Sequence, residues 1–281
     1  LLKAGFDLTF YARRQEVIDE METAGAKPLE SSKAVAEAAD IIITIVTADA
    51  EVREVILGVD GVLEGVSAGK LIVDMSTISP LTIREVAEEA AKKDVRVVDA
   101  PVSGGDTGAI EGTLTIIAGG AKEDVDRCRS LFESMGKEEN IFHVGPIGVG
   151  QTVKVCNQLL GSITMAAMGE AFCLGVKAGA DPEIMRQVVS VSSGNSNLFQ
   201  ARAEKYILKD YFEPGFMLDL MKKDIGLAVG LGKELNTPMP IGSAAYQMYA
   251  LASRLGQGSS DFSSVCRAAE HLSGVKIAKG E

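Results

Sequence analysis

The segment Ile41-Ile42-Ile43-Thr44-Ile45-Val46 is an unbroken run of apolar and β-branched residues. Runs of this length and composition are typical of strands that are buried on both faces of a parallel sheet. Helical patterns near 31–39 and 49–57 flank the run, and further strands are predicted at 70–75 and 95–100. This alternation of strand and helix predicts a doubly wound, Rossmann-type α/β sheet.

The same alternation extends over residues 1–148, which we predict to form one dinucleotide-binding domain. The remaining elements predicted in this half are strands at 6–11, 114–118 and 141–144 and helices at 15–24, 80–92 and 122–135.

The second half has a different pattern. From Val149 to Lys177 there is no proline and no break, which predicts one helix of about 28 residues, or ~42 Å. All later segments are predicted to be helical, at about 182–192, 197–209, 216–235, 240–255 and 261–272. We therefore predict an all-α domain over residues 149–281 for substrate binding and oligomerisation, joined to the first domain by the long helix.

The first residues raise a separate question. Leu1 to Gly5 has the pattern of a last helical turn that Gly5 ends. A doubly wound dinucleotide domain normally begins with a strand, a G-x-G-x-x-G turn and that helix. The spacing of this motif implies about 20 further residues before Leu1. Two expectations stay open: the natural chain carries this strand and turn, or it lacks them.

Composition excludes several classes of protein. The net charge of −11 argues against a nucleic-acid partner, which needs a basic surface. We find no apolar run that approaches the ~20 residues of a membrane span, and no signal peptide. The four cysteines lie far apart without a CxxC pair, and the two histidines are isolated. We expect no metal site, no membrane partner and a cytoplasmic location.

Two adjacent arginines follow the strand predicted at 6–11. In a dinucleotide domain the residue that ends the second strand lies beside the adenosine ribose, where an acid selects NAD and an arginine accommodates the 2′-phosphate of NADP. Here the strand is followed by Ala12, Arg13 and Arg14, without an acid. A guanidinium matches a phosphate in geometry and charge. We predict NADP as the cofactor, with NAD as the alternative; a solvated loop is the non-functional interpretation.

A lysine lies on the predicted inner face of the long helix. Gly150, Lys154, Asn157 and Gly161 recur at helical spacing, and their neighbours are mostly apolar. A lysine among apolar residues must extend to water, form a pair, or have its pKa lowered from ~10.4 by desolvation. The small residues leave room for a ligand, and a lysine close to neutrality can exchange a proton with an alcohol. A lysine that only extends to water is the alternative.

Ser103-Gly104-Gly105 follows the strand at 95–100. Strand ends of an open α/β sheet border the ligand crevice. A hydroxyl and exposed backbone N–H groups would form a small anion-binding nest that suits a carboxylate, and a plain turn is the alternative.

Three motifs then resemble one family in order and spacing: "DAPVSGG" at 99–105, "GVGQTVKVCNQ" at 148–158 and "FMLDLMKKDIGLA" at 216–228. They resemble the β-hydroxyacid dehydrogenase family, and the likeness covers essentially the whole chain. Its members include 3-hydroxyisobutyrate dehydrogenase, tartronate semialdehyde reductase and 2-(hydroxymethyl)glutarate dehydrogenase. The resemblance implies a homodimeric or homotetrameric NAD(P)-dependent oxidoreductase. Its substrate would be a small 3-hydroxy carboxylate or semialdehyde of the 3-hydroxyisobutyrate, tartronate semialdehyde or succinic semialdehyde type.

The resemblance also implies roles for individual residues. Ser103, Gly104 and Gly105 would hold the substrate carboxylate. Lys154 would be the general acid/base at the carbinol oxygen, and Asn157 would help to position the substrate. The implied cofactor contacts, besides the two arginines, are Val46, Thr47, Glu51, Thr77 and, from the helical domain, Lys223.

Two other functions stay open. A dehydrogenase for a dicarboxylate of the 2-(hydroxymethyl)glutarate type is suggested by "GTLTI" at 112–116 and "SSGNSNLF" at 192–199, where Asn195 or Ser196 would bind the second anionic group. The alternative from another class is a non-catalytic dinucleotide-binding protein. The presence of both Lys154 and Asn157 argues against it.

Overall fold

The computed structural model describes residues 1–278. The chain divides into two compact units, Leu1–Lys154 and Val155–Glu281. The division lies after Lys154, inside the long helix, whereas the sequence pattern places the domain boundary before Val149. The first unit is an α/β sheet unit and the second is all-helical, which confirms the predicted fold class.

The central sheet of the first unit is formed by six strands. Strands β3, β4 and β5 are parallel, β7 is antiparallel to β5 and β6, and β8 is parallel to β7. The carboxyl ends of β3, β4 and β5 therefore meet at one edge of the sheet. The strands are β1 (Thr9–Phe10), β2 (Lys27–Pro28), β3 (Ile41–Thr44), β4 (Leu71–Asp74), β5 (Arg96–Asp99), β6 (Val102–Ser103), β7 (Leu114–Gly119) and β8 (Gly136–Gly145).

Helices connect these strands, and local signals set several of their ends. Ser31 caps α2, because its hydroxyl accepts a hydrogen bond from the N–H of Ala34 at 3.1 Å. Gly5 adopts a left-handed φ of 84° and ends a single 3₁₀ turn, as predicted. The helices of this unit are α1 (Gln15–Thr23), α2 (Ser32–Ala38), α3 (Asp49–Leu57), α4 (Val62–Gly65), α5 (Pro80–Ala91), α6 (Gly105–Glu111), α7 (Lys122–Arg127) and α8 (Arg129–Glu133).

Both faces of the sheet are packed. Alternate residues of β4 point to opposite sides, so Leu71 and Val73 join one apolar cluster with Phe132, and Ile72 joins another with Ile42. All of these side chains are buried. The sheet is therefore doubly wound, as the apolar run of β3 predicts.

The strand predicted at 6–11 is wrong in length, because only Thr9 and Phe10 form β1. Its ladder consists of two pairs with β2, and β1 and β2 form a separate parallel sheet. The strand predicted at 41–46 also ends early, at Thr44. Beyond it the N–H of Val46 leaves the ladder and donates to the hydroxyl of Ser76.

Two other segments differ from the predictions. The helix predicted at 122–135 is interrupted at Cys128, which separates α7 from α8. The sequence reading missed α6, which begins directly after the turn at Ser103-Gly104.

The second unit is an all-helical bundle around one apolar core. Its largest fully buried side chains include Met165, Ile207, Leu218 and Tyr249. The helices are α9 (Val149–Lys177), which starts in the first unit, α10 (Pro182–Ser190), α11 (Asn197–Arg202), α12 (Leu218–Glu234), α13 (Pro240–Ala252) and α14 (Cys266–Ser273). A π-helical turn extends α11 at Ala203–Ile207 and another extends α13 at Ser253–Gln257.

Helix α9 is the one helix among residues 1–278 that is long and apolar enough to cross a membrane by length and composition, with a mean hydropathy of 1.6. A core helix of a globular protein passes the same test, so this is weak evidence. Polar residues interrupt its apolar sequence at Gln151, Lys154, Asn157 and Gln158.

Candidate active site

The start of α9 is fixed by a buried carboxylate. Asp99, the last residue of β5, accepts hydrogen bonds from the backbone N–H groups of Gly148 and Gln151, both at 2.7 Å. A carboxylate at this position satisfies free N–H groups of the first turn and faces the positive end of the helix dipole. Burial raises the pKa of the Asp99 carboxyl, and the two backbone donors oppose that rise.

This contact requires a glycine at position 150. A Cβ at Gly150 would lie 2.5 Å from the carbonyl oxygen of Ile117 and 2.7 Å from Oδ2 of Asp99. Any larger residue would move the helix away from the sheet. The close approach places Lys154 one turn further along α9, where the residue is only 6% exposed.

The predicted carboxylate nest lies where β6 ends and α6 begins. Gly104 and Gly105 have φ values of 141° and 63°, in the region that favours glycine. Both glycines are exposed and Ser103 is half-buried. Among residues 1–278 the hydroxyl of Ser103 makes no hydrogen bond. The turn therefore offers an accessible hydroxyl next to two glycines with unusual backbone geometry, which fits an anion nest.

A second buried carboxylate lies under the loop that follows β3. The hydroxyls of Thr44 and Ser76 each donate to Oδ1 of Asp74 at 2.8 Å. The N–H of Val46 donates to the Ser76 hydroxyl at 2.9 Å. Oδ2 of Asp74 is buried without a hydrogen-bond partner within the described part of the chain. Burial raises the pKa of Asp74 to about 6.

Gln151 connects this loop region to α9. Its Nε2 donates to the carbonyl of Ser76 at 2.8 Å, and its Oε1 accepts from the N–H of Ile78 at 3.1 Å. The half-buried Thr77 lies between these two contacts, whereas Thr47 is exposed. Val46 and Thr77, both predicted to line the cofactor, are thus positioned by one buried network.

Sequence reasoning missed the polar residues of this network. The available signal in the sequence was a glutamine among apolar residues of a predicted helix. Gln151 is fully buried in the structure, and a buried amide needs hydrogen-bond partners. The partners of Gln151 lie more than 70 positions earlier in the chain, so no local pattern identifies them.

Arg13 and Arg14 lie exposed between β1 and α1. Within residues 1–278 neither guanidinium forms an ion pair or a hydrogen bond. Two adjacent arginines without an acidic partner fit a phosphate group.

Glu51 lies near the start of α3 and is half-buried. Its Oε2 is buried, and no hydrogen-bond donor reaches it from the residues that the structure describes. The same helix start is held by Asp49, which accepts from the N–H of Ser79 at 2.9 Å and from the hydroxyl of Thr82. Glu51 therefore provides an acceptor that still needs a donor.

The other predicted residues lie in the second unit. Asn157 is exposed, and its Nδ2 donates to Oε1 of Gln158 at 3.1 Å. Nε2 of Gln158 donates to Oδ2 of Asp224 at 2.8 Å. Asp224 also forms an ion pair with Lys223, at 3.0 Å between Nζ and Oδ1. The structure thus links two predicted site residues, Asn157 and Lys223, through Gln158 and Asp224, to which the sequence analysis gave no role.

The side chains considered for a second anionic group have partners within their own loop. Ser196 caps α11 by accepting from the N–H of Phe199 at 3.0 Å. Nδ2 of Asn195 donates to the carbonyl of Ser190 at 2.9 Å.

Residues 1–278 contain no group of three or more His, Cys, Asp or Glu side chains that could hold a metal ion.

Comparisons with known proteins match both units. Residues 1–145 match the family described as the NAD binding domain of 6-phosphogluconate dehydrogenase, and residues 148–269 match the NAD-binding domain of NADP-dependent 3-hydroxyisobutyrate dehydrogenase. These matches agree with the three motifs found in the sequence.

Individual relatives are similar over nearly the whole chain. The 2-(hydroxymethyl)glutarate dehydrogenase of Eubacterium barkeri is 39% identical and aligns over 100% of this chain and 93% of its own. The 3-hydroxyisobutyrate dehydrogenase of Pseudomonas aeruginosa is 37% identical over 89% of this chain and 86% of its own. A solved structure of Mycobacterium tuberculosis 3-hydroxyisobutyrate dehydrogenase with L-serine has a TM-score of 0.84 at 29% identity, and covers 95% of this chain and 91% of that one. The chain therefore belongs to the β-hydroxyacid dehydrogenase family of NAD(P)-dependent oxidoreductases, which act on the CH–OH group of small hydroxy acids.

Proposed function

We propose that this chain is an NADP(H)-preferring dehydrogenase for a small 3-hydroxy carboxylate and its semialdehyde, of the 3-hydroxyisobutyrate type. The observation that carries the proposal is the placement of Lys154. It is buried one turn after a helix start that the Asp99 carboxylate fixes to the end of β5. Ser103 ends β6, the strand that follows β5 four residues further along the chain.

The chain's own residues have separate tasks in this proposal. Ser103 and the glycine turn bind the substrate carboxylate through a hydroxyl and backbone N–H groups. Lys154 removes the hydroxyl proton during oxidation and returns it during reduction. Asn157, one turn further along α9, orients the substrate. The nicotinamide, when bound, supplies the hydride acceptor or donor.

The unpaired guanidinium groups of Arg13 and Arg14 support NADP as the preferred cofactor. The matched family that covers residues 148–269 is itself described as NADP-dependent. Val46, Thr47 and Thr77 would line the nicotinamide side, and the buried oxygen of Glu51 would accept from a cofactor hydroxyl. Lys223 would bind the cofactor through its ammonium group.

We also propose self-association and a reducing compartment. Ile184 and Val188 on α10 and Val191, directly after its end, are exposed apolar residues, with Val191 88% exposed. Exposed apolar groups of this kind are typical of subunit interfaces, which supports a homodimer or homotetramer. The thiols at Cys128, Cys173, Cys156 and Cys266 are all free, which supports a cytoplasmic location.

A dicarboxylate substrate is the second candidate, supported by the Eubacterium barkeri relative. It takes second place because Ser196 and Asn195 already have hydrogen-bond partners in their own loop.

The experiment compares Lys154→Met with the native chain. Methionine retains the length of the side chain and removes the exchangeable proton, and Lys137→Met on the exposed part of β8 is the matched control. We expect Lys154→Met to lose roughly 10²–10⁴-fold in kcat with 3-hydroxyisobutyrate. NADPH binding, followed by fluorescence, should stay near the native value and be tighter than NADH binding.

Native-like turnover by Lys154→Met would remove the proposed role of this lysine. Equal affinity of the native chain for NADPH and NADH would remove the proposed role of Arg13 and Arg14.

A further inference from the structure

The peptide groups on both sides of Thr77 are bound by one buried side chain. Nε2 of Gln151 donates to the carbonyl oxygen of Ser76 at 2.8 Å, and Oε1 of Gln151 accepts from the N–H of Ile78 at 3.1 Å. This carbonyl belongs to the peptide group before Thr77, and this N–H belongs to the peptide group after it. Because each residue has only two soft backbone dihedral angles, the two contacts together fix φ and ψ of Thr77. They therefore set the direction in which its side chain leaves the main chain.

Thr77 is the residue of this segment that reaches the surface. Its neighbours Ser76 and Ile78 are 2% and 0% exposed, whereas Thr77 is half-buried. The Ser76 hydroxyl is held in turn by Oδ1 of Asp74, to which it donates at 2.8 Å. A side chain between two anchored neighbours loses little further freedom when a ligand binds, which favours affinity.

Gln151 is itself held on the first turn of α9. Its backbone N–H donates to Oδ2 of Asp99 at 2.7 Å, and the residue is fully buried. A glutamine side chain supplies both a donor and an acceptor, whereas an ionised glutamate has acceptors only and a methionine has no donor. Lys154 lies three residues further along the same helix, so it is a helical neighbour of Gln151.

We propose that Gln151 is a positioning residue that aligns Thr77 with the nicotinamide half of the cofactor. The inference rests on the proposed function, in which Thr77 lines the nicotinamide side. The start of α9 then places both this residue and Lys154, which takes the substrate proton. Loss of the Gln151 amide should weaken binding of the nicotinamide half and slow turnover, and should leave binding of the adenine half unchanged.

Gln151→Met tests the proposal, because methionine has a similar length and makes neither backbone contact. The probes are NADPH and 2′,5′-ADP, a fragment with the adenosine and the 2′-phosphate but no nicotinamide, and calorimetric titration measures the affinity for each. We expect the affinity for NADPH to fall roughly tenfold, about the worth of one hydrogen bond, and the affinity for the fragment to stay unchanged. We also expect kcat with 3-hydroxyisobutyrate to fall roughly 10–100-fold, because a misplacement of about 1 Å can cost about that much.

Val125→Ala is the matched control for a merely structural role. Val125 is buried on α7, in an apolar cluster of the first unit that contains neither Gln151 nor residues 76–78. This variant should be less stable and should keep the native ratio of NADPH affinity to fragment affinity. Equal losses of both affinities in Gln151→Met, or native values of NADPH affinity and kcat, would overturn the proposal. If Gln151→Met does not fold, the same comparison uses Gln151→Asn, whose amide is one methylene too short to reach both backbone groups.

The native chain distinguishes failure of this inference from failure of the proposed function. Absence of NADPH binding and of NADPH-linked turnover by the native chain would remove the proposed function and this inference with it. Native binding and turnover, together with an unchanged ratio of the two affinities in Gln151→Met, would remove the role of Gln151 alone.

Discussion

A buried aspartate lies beside predicted site residues in each unit, Asp99 in the first and Asp224 in the second, but the two are held differently. Asp99 in the first unit is bound by the backbone N–H groups of Gly148 and Gln151. Asp224 in the second unit is bound by the side chains of Gln158 and Lys223. The first arrangement depends on main-chain geometry and the second on side-chain identity. Substitutions at the Asp99 contact should therefore affect the position of α9, and substitutions at the Asp224 contact should affect the orientation of side chains.

The energetic reason lies in what each carboxylate satisfies. Asp99 accepts from N–H groups that a helix start leaves without intrahelical partners. Removal of its carboxylate would leave these buried N–H groups without an acceptor and would destabilise the fold. Asp224 accepts from groups whose own loss changes local orientation and leaves the helix hydrogen bonds intact. The contact between Gln158 and Asp224 can thus be altered by one residue. The contact of Asp99 with the N–H groups of Gly148 and Gln151, which we call the clamp, depends on the main chain.

The largest expected effect comes from filling the space at the clamp. Gly150→Ala would place a Cβ 2.5 Å from the carbonyl oxygen of Ile117, and should lower the free energy of unfolding by about 1–3 kcal/mol. Gly161→Ala on the same helix is the control in the second unit. Its Cβ would lie 3.4 Å from Cδ1 of Leu198, and alanine in a helix interior gains about 0.5–1 kcal/mol.

Urea denaturation followed by far-UV circular dichroism measures both changes. Equal unfolding free energies for the two variants would contradict the claim that α9 is constrained by main-chain geometry in the first unit.

A smaller effect is expected from pH. Burial raises the pKa of Asp74 to about 6, above the ~3.9 of an unfolded chain, so the folded state binds more protons between these values. Stability should therefore decrease as the pH rises from about 4 to about 6, by up to about 1.4 kcal/mol for each pH unit, and then level off. The raised pKa of Asp99 contributes with the same sign.

Asp74→Asn removes the titrating group and keeps an oxygen that accepts from Thr44 and Ser76. We expect the variant to lose most of this pH dependence in urea denaturation at pH 4.5, 5.5 and 7. An unchanged pH profile would show that Asp74 is not the main titrating group.

The sequence predicted those features that depend on periodic patterns. The apolar run of β3 and the uninterrupted stretch of α9 identified both units, because burial imposes a period that neighbouring residues display. Helix α6 was missed for the opposite reason. It contains Gly105 and Gly108, which disfavour helices, and its packing against Leu114 depends on tertiary contacts.

The missed site residues share one property: their partners are distant in the chain. Gln158 reaches Asp224 across 66 positions, and Gln151 reaches Ile78 across 73. A single sequence shows that these amides lie in apolar helices but not which group satisfies them. Lys154 and Asn157 were predicted because both lie on one face of one helix. Asp99 and Asp224, which accept hydrogen bonds from residues of that helix, lie on other elements, so no pattern within the helix indicates them.

The smallest expected effect concerns a serine that caps a helix, which both units contain. Ser31 caps α2 in the first unit and Ser196 caps α11 in the second, each with its hydroxyl about 3 Å from a backbone N–H. Serine-to-alanine substitutions should each lower the unfolding free energy by about 1 kcal/mol, because each leaves one helix-start donor unpaired. Neither should change turnover of 3-hydroxyisobutyrate, since a cap acts on its own helix alone. Urea denaturation together with steady-state rates checks both variants. A selective loss of activity on a dicarboxylate semialdehyde in Ser196→Ala would show that this hydroxyl serves a substrate, and would move the second candidate function ahead of the first.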